Sequence, residues 1–167
     1  MGNLGEQVNR RLNVAVIGAG YWGPHLARNL RASREWNLVA ICDLDIDRAR
    51  RVADAVGGAP VTADLQSVLM DPLIDAVAVA TPASTHHAIV MAALDAGKHV
   101  MVEKPLADTQ ARGGEMVRRA TERGLVLMAD HTHCYTPAVL KMRELVARGE
   151  LGDILFIDSV RINFGLV

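Results

Sequence analysis

The sequence lacks the features that mark several classes of protein. Only two cysteines occur among its 167 residues. Cys42 and Cys134 lie far apart and match no metal or redox spacing, so we expect neither a disulfide framework nor a cysteine-ligated metal. No apolar run approaches the roughly 20 residues that a membrane-spanning helix needs. The formal net charge of −1 gives no electrostatic reason to expect a nucleic acid or an anionic membrane as a partner.

These absences favour a reduced, cytoplasmic setting. The chain is long enough to form one full domain with a sizeable core. The stretch from Met1 to Arg11 is polar and has no apolar centre, so we interpret it as a loose tail rather than a signal peptide or an anchor. Two histidine pairs, His86-His87 and His131-x-His133, lack the further ligands that zinc would require. We therefore expect no metal site.

The most informative stretch runs from Val14 to Gly23, where an apolar segment reaches closely spaced glycines and continues as a helix. The segment before the glycines is short, branched and uncharged, which predicts a buried strand from Leu12 to Ile17. Gly18 can adopt a tight turn, Gly20 lets a phosphate approach the main chain, and Gly23 lets the helix lie close to the strand. With the free N–H groups and dipole of the helix, this turn suits a dinucleotide pyrophosphate. A turn that only joins strand to helix is the alternative.

A second apolar run, Leu38 to Cys42, ends in Asp43 at about twenty residues beyond the glycines, the spacing at which a dinucleotide site has an acid. A carboxylate there accepts hydrogen bonds from the adenosine ribose and repels a 2′-phosphate, so NAD is favoured over NADP. The alternative is that Asp43 only caps the following helix. Asp45 is the better placed cap.

Strand and helix patterns alternate along the chain, which predicts right-handed crossovers and a doubly wound parallel α/β sheet with helices on both faces. Gly18, Asp43, Thr81 and Lys104 all follow predicted strands. Because ligands bind at the carboxyl ends of the strands in such sheets, we expect one shared site there. The Lys104 ammonium group could donate to a cofactor ribose or to a substrate hydroxyl. The alternative is that Lys104 is a surface lysine paired with a neighbouring carboxylate.

Together these motifs resemble the N-terminal half of the Gfo/Idh/MocA oxidoreductases, the glucose-fructose oxidoreductase and inositol dehydrogenase family. The resemblance spans Leu12 to about Phe164. It is carried by Gly18-x-Gly20-x-x-Gly23, Asp43, Thr81-Pro82 with His86, Ala96-Gly97-Lys98-His99-Val100, and Glu103-Lys104-Pro105-Leu106. More loosely, Gly20-Tyr-Trp-Gly-Pro24 and the stretch from His131 to Ala138 look like the branch that acts on nucleotide-linked or acetylated amino sugars.

The resemblance implies a Rossmann-type fold and NAD(P)-dependent hydride transfer at a sugar, nucleotide-sugar or polyol carbon. It assigns catalysis to Lys104, which would touch both the nicotinamide ribose and the reacting hydroxyl. The implied cofactor-binding residues are Gly18, Gly20, Tyr21, Trp22 and Gly23 at the pyrophosphate, Asp43 at the adenosine ribose, Thr81, Pro82 and His86 towards the nicotinamide, and Glu103 with Lys104. His86 could equally make an ordinary hydrogen bond at a helix end. We also expect Tyr135 to approach the substrate.

We expect three segments: the tail at 1–11, a dinucleotide-binding domain at 12–135, and, at 136–167, a linking helix with the first strand of a second α+β domain. Ile154 to Ile157 and Val160 to Phe164 have the composition of strands. Family members continue into an antiparallel sheet that completes the acid-base set, so we expect a truncated member with incomplete catalytic machinery. The alternative is a non-catalytic module that binds a dinucleotide or associates with another chain, including a second copy of itself.

Overall fold

The computed structural model describes residues 10–160 and contains a six-stranded parallel sheet. Its strands are β1 (Leu12–Ile17), β2 (Trp36–Cys42), β3 (Val61–Thr62), β4 (Ala76–Val79), β5 (His99–Glu103) and β6 (Leu127–Asp130). They lie in the order β3-β2-β1-β4-β5-β6. The strand order reverses between β1 and β4, and this arrangement confirms the predicted doubly wound sheet.

Helices connect the strands and follow the last of them. They are α1 (Gly23–Ala32), α2 (Ile46–Ala55), α3 (Leu65–Met70), α4 (Ala83–Asp95), α5 (Gln110–Arg123) and α6 (Pro137–Ala147), with a short 3₁₀ helix at Thr132–Tyr135. The Asp45 side chain accepts a hydrogen bond from the main-chain N–H of Arg48 at 3.0 Å, so it caps α2 as predicted. None of the helices between residues 10 and 160 is long and apolar enough to cross a membrane.

Apolar side chains form a core on each face of the sheet. On one face, Val77 and Val79 pack in a cluster with Leu94 and Met116 from the helices α4 and α5. On the other face, Ile41 belongs to a cluster to which α1 and α2 contribute. Each fully buried side chain of this size contributes about 1.5–3 kcal/mol, whereas an exposed ion pair contributes about 0–1 kcal/mol. The two clusters, rather than the surface charges, therefore hold the helices to the sheet.

A buried lysine closes the opposite end of the sheet from the glycine turn. Lys98 precedes β5, and its ammonium group donates to the main-chain carbonyls of Asp71 at 2.6 Å and Ile74 at 2.8 Å. A buried ammonium group is tolerated only when its N–H groups have acceptors. These two bonds secure the connection between α3 and β4.

Two sequence predictions at the chain ends need correction or lie outside the described residues. The loose tail was predicted at residues 1–11, of which residues 1–9 lie outside the described residues. Arg10 pairs with Asp75 at 2.5 Å, and Arg11 donates to the Arg34 carbonyl at 3.0 Å. These two residues are therefore anchored rather than loose. Their partners lie far along the chain, which is why a polar composition alone gave no sign of them.

The strand predicted at Ile154–Ile157 is wrong, because this segment has no regular structure in the described chain and Leu155 and Phe156 are 90% and 83% exposed. A strand requires a neighbour to accept and donate its main-chain hydrogen bonds, and composition cannot supply one. Most of the strand predicted at Val160–Phe164 lies outside the described residues. The contacts divide the chain into a unit that ends at Asp130 and a second unit that begins at His131.

Replacing Gly23 tests how closely α1 approaches the turn after β1. A Cβ at Gly23 would lie 2.2 Å from the Gly18 carbonyl oxygen, so Gly23→Ala should lower the free energy of unfolding by about 1–3 kcal/mol. The matched control is Gly114→Ala in α5, where a Cβ meets no atom within 4 Å. The control should gain about 0.5–1 kcal/mol, because alanine is the better helix former. Urea unfolding measures both, and equal stabilities would contradict the close approach.

Candidate functional site

Part of the predicted site comes together in two cavities at the carboxyl edge of the sheet, and the predicted cofactor-binding residues that line neither cavity are Gly23, His86, Glu103 and Lys104. Two neighbouring cavities, of about 440 and 300 Å³, open on this edge, and Gly18, Asp43, Thr81 and Pro82 line both of them. Arg48, which the sequence analysis did not select, also lines both. The crevice lies where the strand order reverses, which is where open α/β sheets bind their ligands.

The three positions of the turn are occupied by glycine for different structural reasons. Gly18 has a φ of +98°, and a Cβ there would lie 2.7 Å from the Ala80 carbonyl carbon. Gly23 is required by its contact with the Gly18 carbonyl. Gly20 differs, because a Cβ at that position would meet no protein atom within 4 Å. The fold therefore does not require a glycine at Gly20, and the open space beside it fits a ligand that approaches the main chain.

The start of α1 leaves room for an anion. Trp22 precedes the first residue of the helix, and its side chain does not cap the first turn. Pro24 has no N–H and the His25 N–H donates to the Trp22 carbonyl at 3.0 Å, so the Gly23 N–H and the helix dipole are what this end of α1 offers a negatively charged group such as a phosphate. Tyr21 and Trp22 line the smaller cavity beside Gly20, and their rings contact each other and the ring of His25. Tyr21 is 76% exposed, so its ring is available to a ligand.

The Asp43 carboxylate is bound both to the glycine turn and to Asp45, the residue that caps α2. One carboxylate oxygen accepts from the main-chain N–H of Ala19 at 2.6 Å, and the other accepts from that of Asp45 at 2.8 Å. The alternative role as a helix cap therefore belongs to Asp45 alone. The Arg48 guanidinium lies 3.7 Å from the Asp43 carboxylate, so a cation and an anion stand together where a dinucleotide ribose would lie.

His86 is buried, with 1% of its surface exposed. Its Nδ1 atom lies 2.8 Å from the Pro105 carbonyl oxygen, and its Nε2 atom lies 2.9 Å from the Thr81 carbonyl oxygen. Both partners are carbonyl oxygens, which accept from whichever ring nitrogen carries a proton. The side chain thus joins the loop after β4 to the loop after β5. A direct contact between His86 and a cofactor stays a prediction.

Lys104 follows β5 with an exposed side chain. Within residues 10–160 no ion pair joins its ammonium group to a carboxylate, so the group is open to a ligand. The main-chain N–H of Lys104 donates to the Glu103 carboxylate at 3.2 Å. Glu103 is only 6% exposed, and burial, followed by the charge of Asp130, raises its pKa above the ordinary value.

The cysteines and histidines give no sign of a second chemistry. Burial, together with the nearby carboxylate of Asp43, raises the pKa of the Cys42 thiol to about 11, which keeps it protonated at neutral pH. Cys42 thus packs as a small core residue. Cys134 is exposed. Among residues 10–160, no three His, Cys, Asp or Glu side chains gather in a way that could hold a metal ion.

The fold and the crevice define a dinucleotide-binding Rossmann domain. Residues 12–131 match the Gfo/Idh/MocA family model, described as "Oxidoreductase family, NAD-binding Rossmann fold". The chain belongs to this family, and the resemblance stated from its motifs is confirmed. Its glycine turn and its strand-end acid fit the NAD-binding character that the family description gives.

Curated and solved relatives support this assignment. The chain is 37% identical over 144 residues to D-glucoside 3-dehydrogenase from Escherichia coli K12, a match that covers 86% of this chain and 41% of that protein. The crystal structure of GenD2 from gentamicin A biosynthesis in complex with NAD has a TM-score of 0.80 at 35% identity, covering 90% of this chain and 43% of that one.

A third relative carries the other dinucleotide. The crystal structure of KijD10, a 3-ketoreductase from Actinomadura kijaniata in complex with TDP-benzene and NADP, matches with a TM-score of 0.76 at 31% identity, covering 84% of this chain and 44% of that one. The chain thus spans less than half the length of each of these relatives.

Replacing His86 tests its bridge between the two loops. His86→Leu removes the buried side chain that contacts the Pro105 and Thr81 carbonyl oxygens and should lower the free energy of unfolding by about 2–4 kcal/mol. The neighbouring His87 is the matched control, since its only described polar partner is the half-exposed Glu115, at 2.8 Å. His87→Leu should cost about 1 kcal/mol or less. Urea unfolding compares the variants, and equal losses would count against the bridge.

Proposed function

We propose that the crevice binds NAD and that the chain supplies the cofactor domain of an enzyme that transfers hydride between nicotinamide and a sugar, nucleotide-sugar or polyol carbon. The observation that carries this proposal is the open space beside Gly20, next to the uncapped start of α1. A side chain there would be tolerated by the fold but would meet a bound pyrophosphate. The absence of a side chain is therefore explained by a ligand rather than by packing.

The remaining cofactor contacts follow from the positions of the strand ends. Gly18, Gly20 and Gly23, with Tyr21 and Trp22, surround the pyrophosphate. Asp43 accepts hydrogen bonds from the adenosine ribose. Thr81 and Pro82 border the nicotinamide half, and His86 holds their loop in place from within the core. Apart from Gly23, which packs against the Gly18 carbonyl, each of these residues lines the crevice or is hydrogen bonded to one that does.

Lys104 is the catalytic residue of this proposal. Its exposed ammonium group donates a hydrogen bond to the reacting hydroxyl and to the nicotinamide ribose, which orients the substrate carbon towards the cofactor. The bound nicotinamide supplies the hydride chemistry. The adjacent Glu103 holds the main-chain N–H of Lys104, so it fixes the point from which the lysine side chain extends.

The substrate class rests on the relatives. One is named as a D-glucoside dehydrogenase and another as a 3-ketoreductase, and both names fit oxidation or reduction at an oxygen-bearing carbon. A cytoplasmic setting and association between copies of the chain belong to the same proposal. So does a domain boundary after residue 135, with 136–167 leading into a substrate domain.

A second candidate is a dinucleotide-binding module without turnover of its own. The chain covers 41% of the length of D-glucoside 3-dehydrogenase. Incubating the chain with NAD and a panel of sugars and polyols separates the two candidates. Formation of NADH supports the dehydrogenase, whereas tight NAD binding without NADH formation supports the module.

Replacing Gly20 tests the binding site directly. Gly20→Val should leave the fold intact, because its side chain enters open space, yet should weaken NAD binding by about 100-fold or more by occupying the pyrophosphate position. Calorimetric titration measures the affinity. Gly114→Val, at an equally open glycine in α5, is the control and should bind NAD as the parent chain does. Unchanged affinity in Gly20→Val would refute the site.

Replacing Asp43 tests the choice between NAD and NADP. Asp43→Asn removes the charge that repels a 2′-phosphate and leaves Asp45, 3.3 Å away, as the described carboxylate that still pairs with the Arg48 guanidinium. The ratio of NADP to NAD affinity should rise about tenfold or more, since charge-assisted hydrogen bonds are worth about 1.5–3 kcal/mol. The control is Asp47→Asn, which removes an exposed charge from α2 that pairs with Arg50. An unchanged ratio in Asp43→Asn would contradict the ribose assignment.

A further inference from the structure

Two carboxyl side chains stand side by side at the ends of β5 and β6. Glu103 and Asp130 are register partners in these adjacent parallel strands, so their side chains point to the same face of the sheet. Glu103 is almost fully buried and Asp130 is partly buried. The family resemblance gave Glu103 a role but pointed to nothing at Asp130, because the pairing depends on strand register.

The hydrogen bonds of Glu103 are incomplete. Its Oε2 atom accepts from the main-chain N–H of Lys104 at 3.2 Å, whereas its Oε1 atom is buried and has no hydrogen-bond partner within the part of the chain that the structure describes. A buried oxygen without a donor is costly. A proton carried by either carboxyl group would form an O–H···O bond between Glu103 and Asp130 and would satisfy Oε1.

The surrounding charges favour such a proton. Burial and the Asp130 carboxylate both raise the pKa of Glu103, since two ionised carboxyl groups in a poorly solvated place repel each other. The main-chain N–H and the ammonium group of Lys104 act in the opposite direction, and each has a smaller effect on the pKa of Glu103 than the Asp130 charge. From α4, the His86 ring reaches the Pro105 carbonyl rather than the carboxyl pair.

We propose that Glu103 and Asp130 share one proton over a pH range in which exposed carboxyl groups are fully ionised, and that Asp130 is a positioning residue for Lys104. The shared proton fixes Glu103, and Glu103 holds the main-chain N–H of Lys104. It also leaves one negative charge, rather than two, beside the lysine. The role towards Lys104 rests on the proposed function, whereas the shared proton does not.

A titration of the chain without ligand tests the shared proton. Glutamate labelled with ¹³C at the side-chain carboxyl gives each glutamate a signal, and Glu103→Gln identifies the one from Glu103. We expect the Glu103 signal to change at a higher pH than those of the exposed glutamates. In Asp130→Asn the change should move to lower pH, because the amide donates to Oε1 and the second charge is gone.

The control is Asp108→Asn, which removes an exposed carboxylate that pairs with Arg112 and should leave the Glu103 titration where it was. The proposal is overturned if Glu103 in the parent chain titrates with the exposed glutamates, or if Asp130→Asn leaves its titration unchanged. Because the first of these results does not depend on the Asp130 variant, a poorly folded Asp130→Asn would not protect the proposal.

Binding of NADH at a pH below and a pH above the Glu103 transition tests the positioning role. In the parent chain the dissociation constant should rise with pH, as a second negative charge forms beside an anionic ligand. In Asp130→Asn the ratio of the two constants should be about one. The same ratio in both proteins would overturn the role of Asp130. Failure of the parent chain to bind NADH at any pH would overturn the proposed function, and with it that role, while the ligand-free titration still decides the shared proton.

Discussion

The site depends on the close approach of the turn after β1 to the end of β4. Gly18 lies so near the Ala80 main chain that a Cβ has no room. Two hydrogen bonds connect the end of β1 to its neighbouring strands. The Gly18 N–H donates to the Cys42 carbonyl, and the Ala80 N–H donates to the Ile17 carbonyl, each at 2.7 Å. The ends of β1, β2 and β4 are thereby fixed as one unit, and the crevice is their common edge.

Buried polar side chains extend this rigidity to the rest of the sheet. His86 contacts two main-chain carbonyls at the carboxyl edge of the sheet, and Lys98 contacts two at the opposite end. Such contacts fix loop positions that apolar packing alone leaves adjustable, because hydrogen bonds are directional. Among the described residues Glu103 is the third buried polar residue and is the one with an unsatisfied atom. The exception adjoins Lys104, and buried groups with perturbed pKa values tend to mark functional positions.

The local chemistry of the chain was enough to predict much of this arrangement. The β1 strand, the glycine turn and the Asp45 cap each follow from a few consecutive residues, and all were found where expected. The Arg48–Asp43 contact, the two acceptors of His86 and the Glu103–Asp130 pairing join residues that only the folded sheet brings together. The prediction of a strand at Ile154–Ile157 was wrong for a related reason, because strand composition does not provide a pairing partner.

The different demands on the three glycines separate stability from binding in a way that the motif alone could not. The packing of the fold requires glycine at Gly18 and Gly23, so a protein that used this turn only to connect β1 to α1 would retain both. Gly20 is not needed by any described neighbour, and a fold without a ligand would gain from a residue with less main-chain freedom. The glycine that packing does not explain is therefore the one that distinguishes a cofactor site from a simple turn.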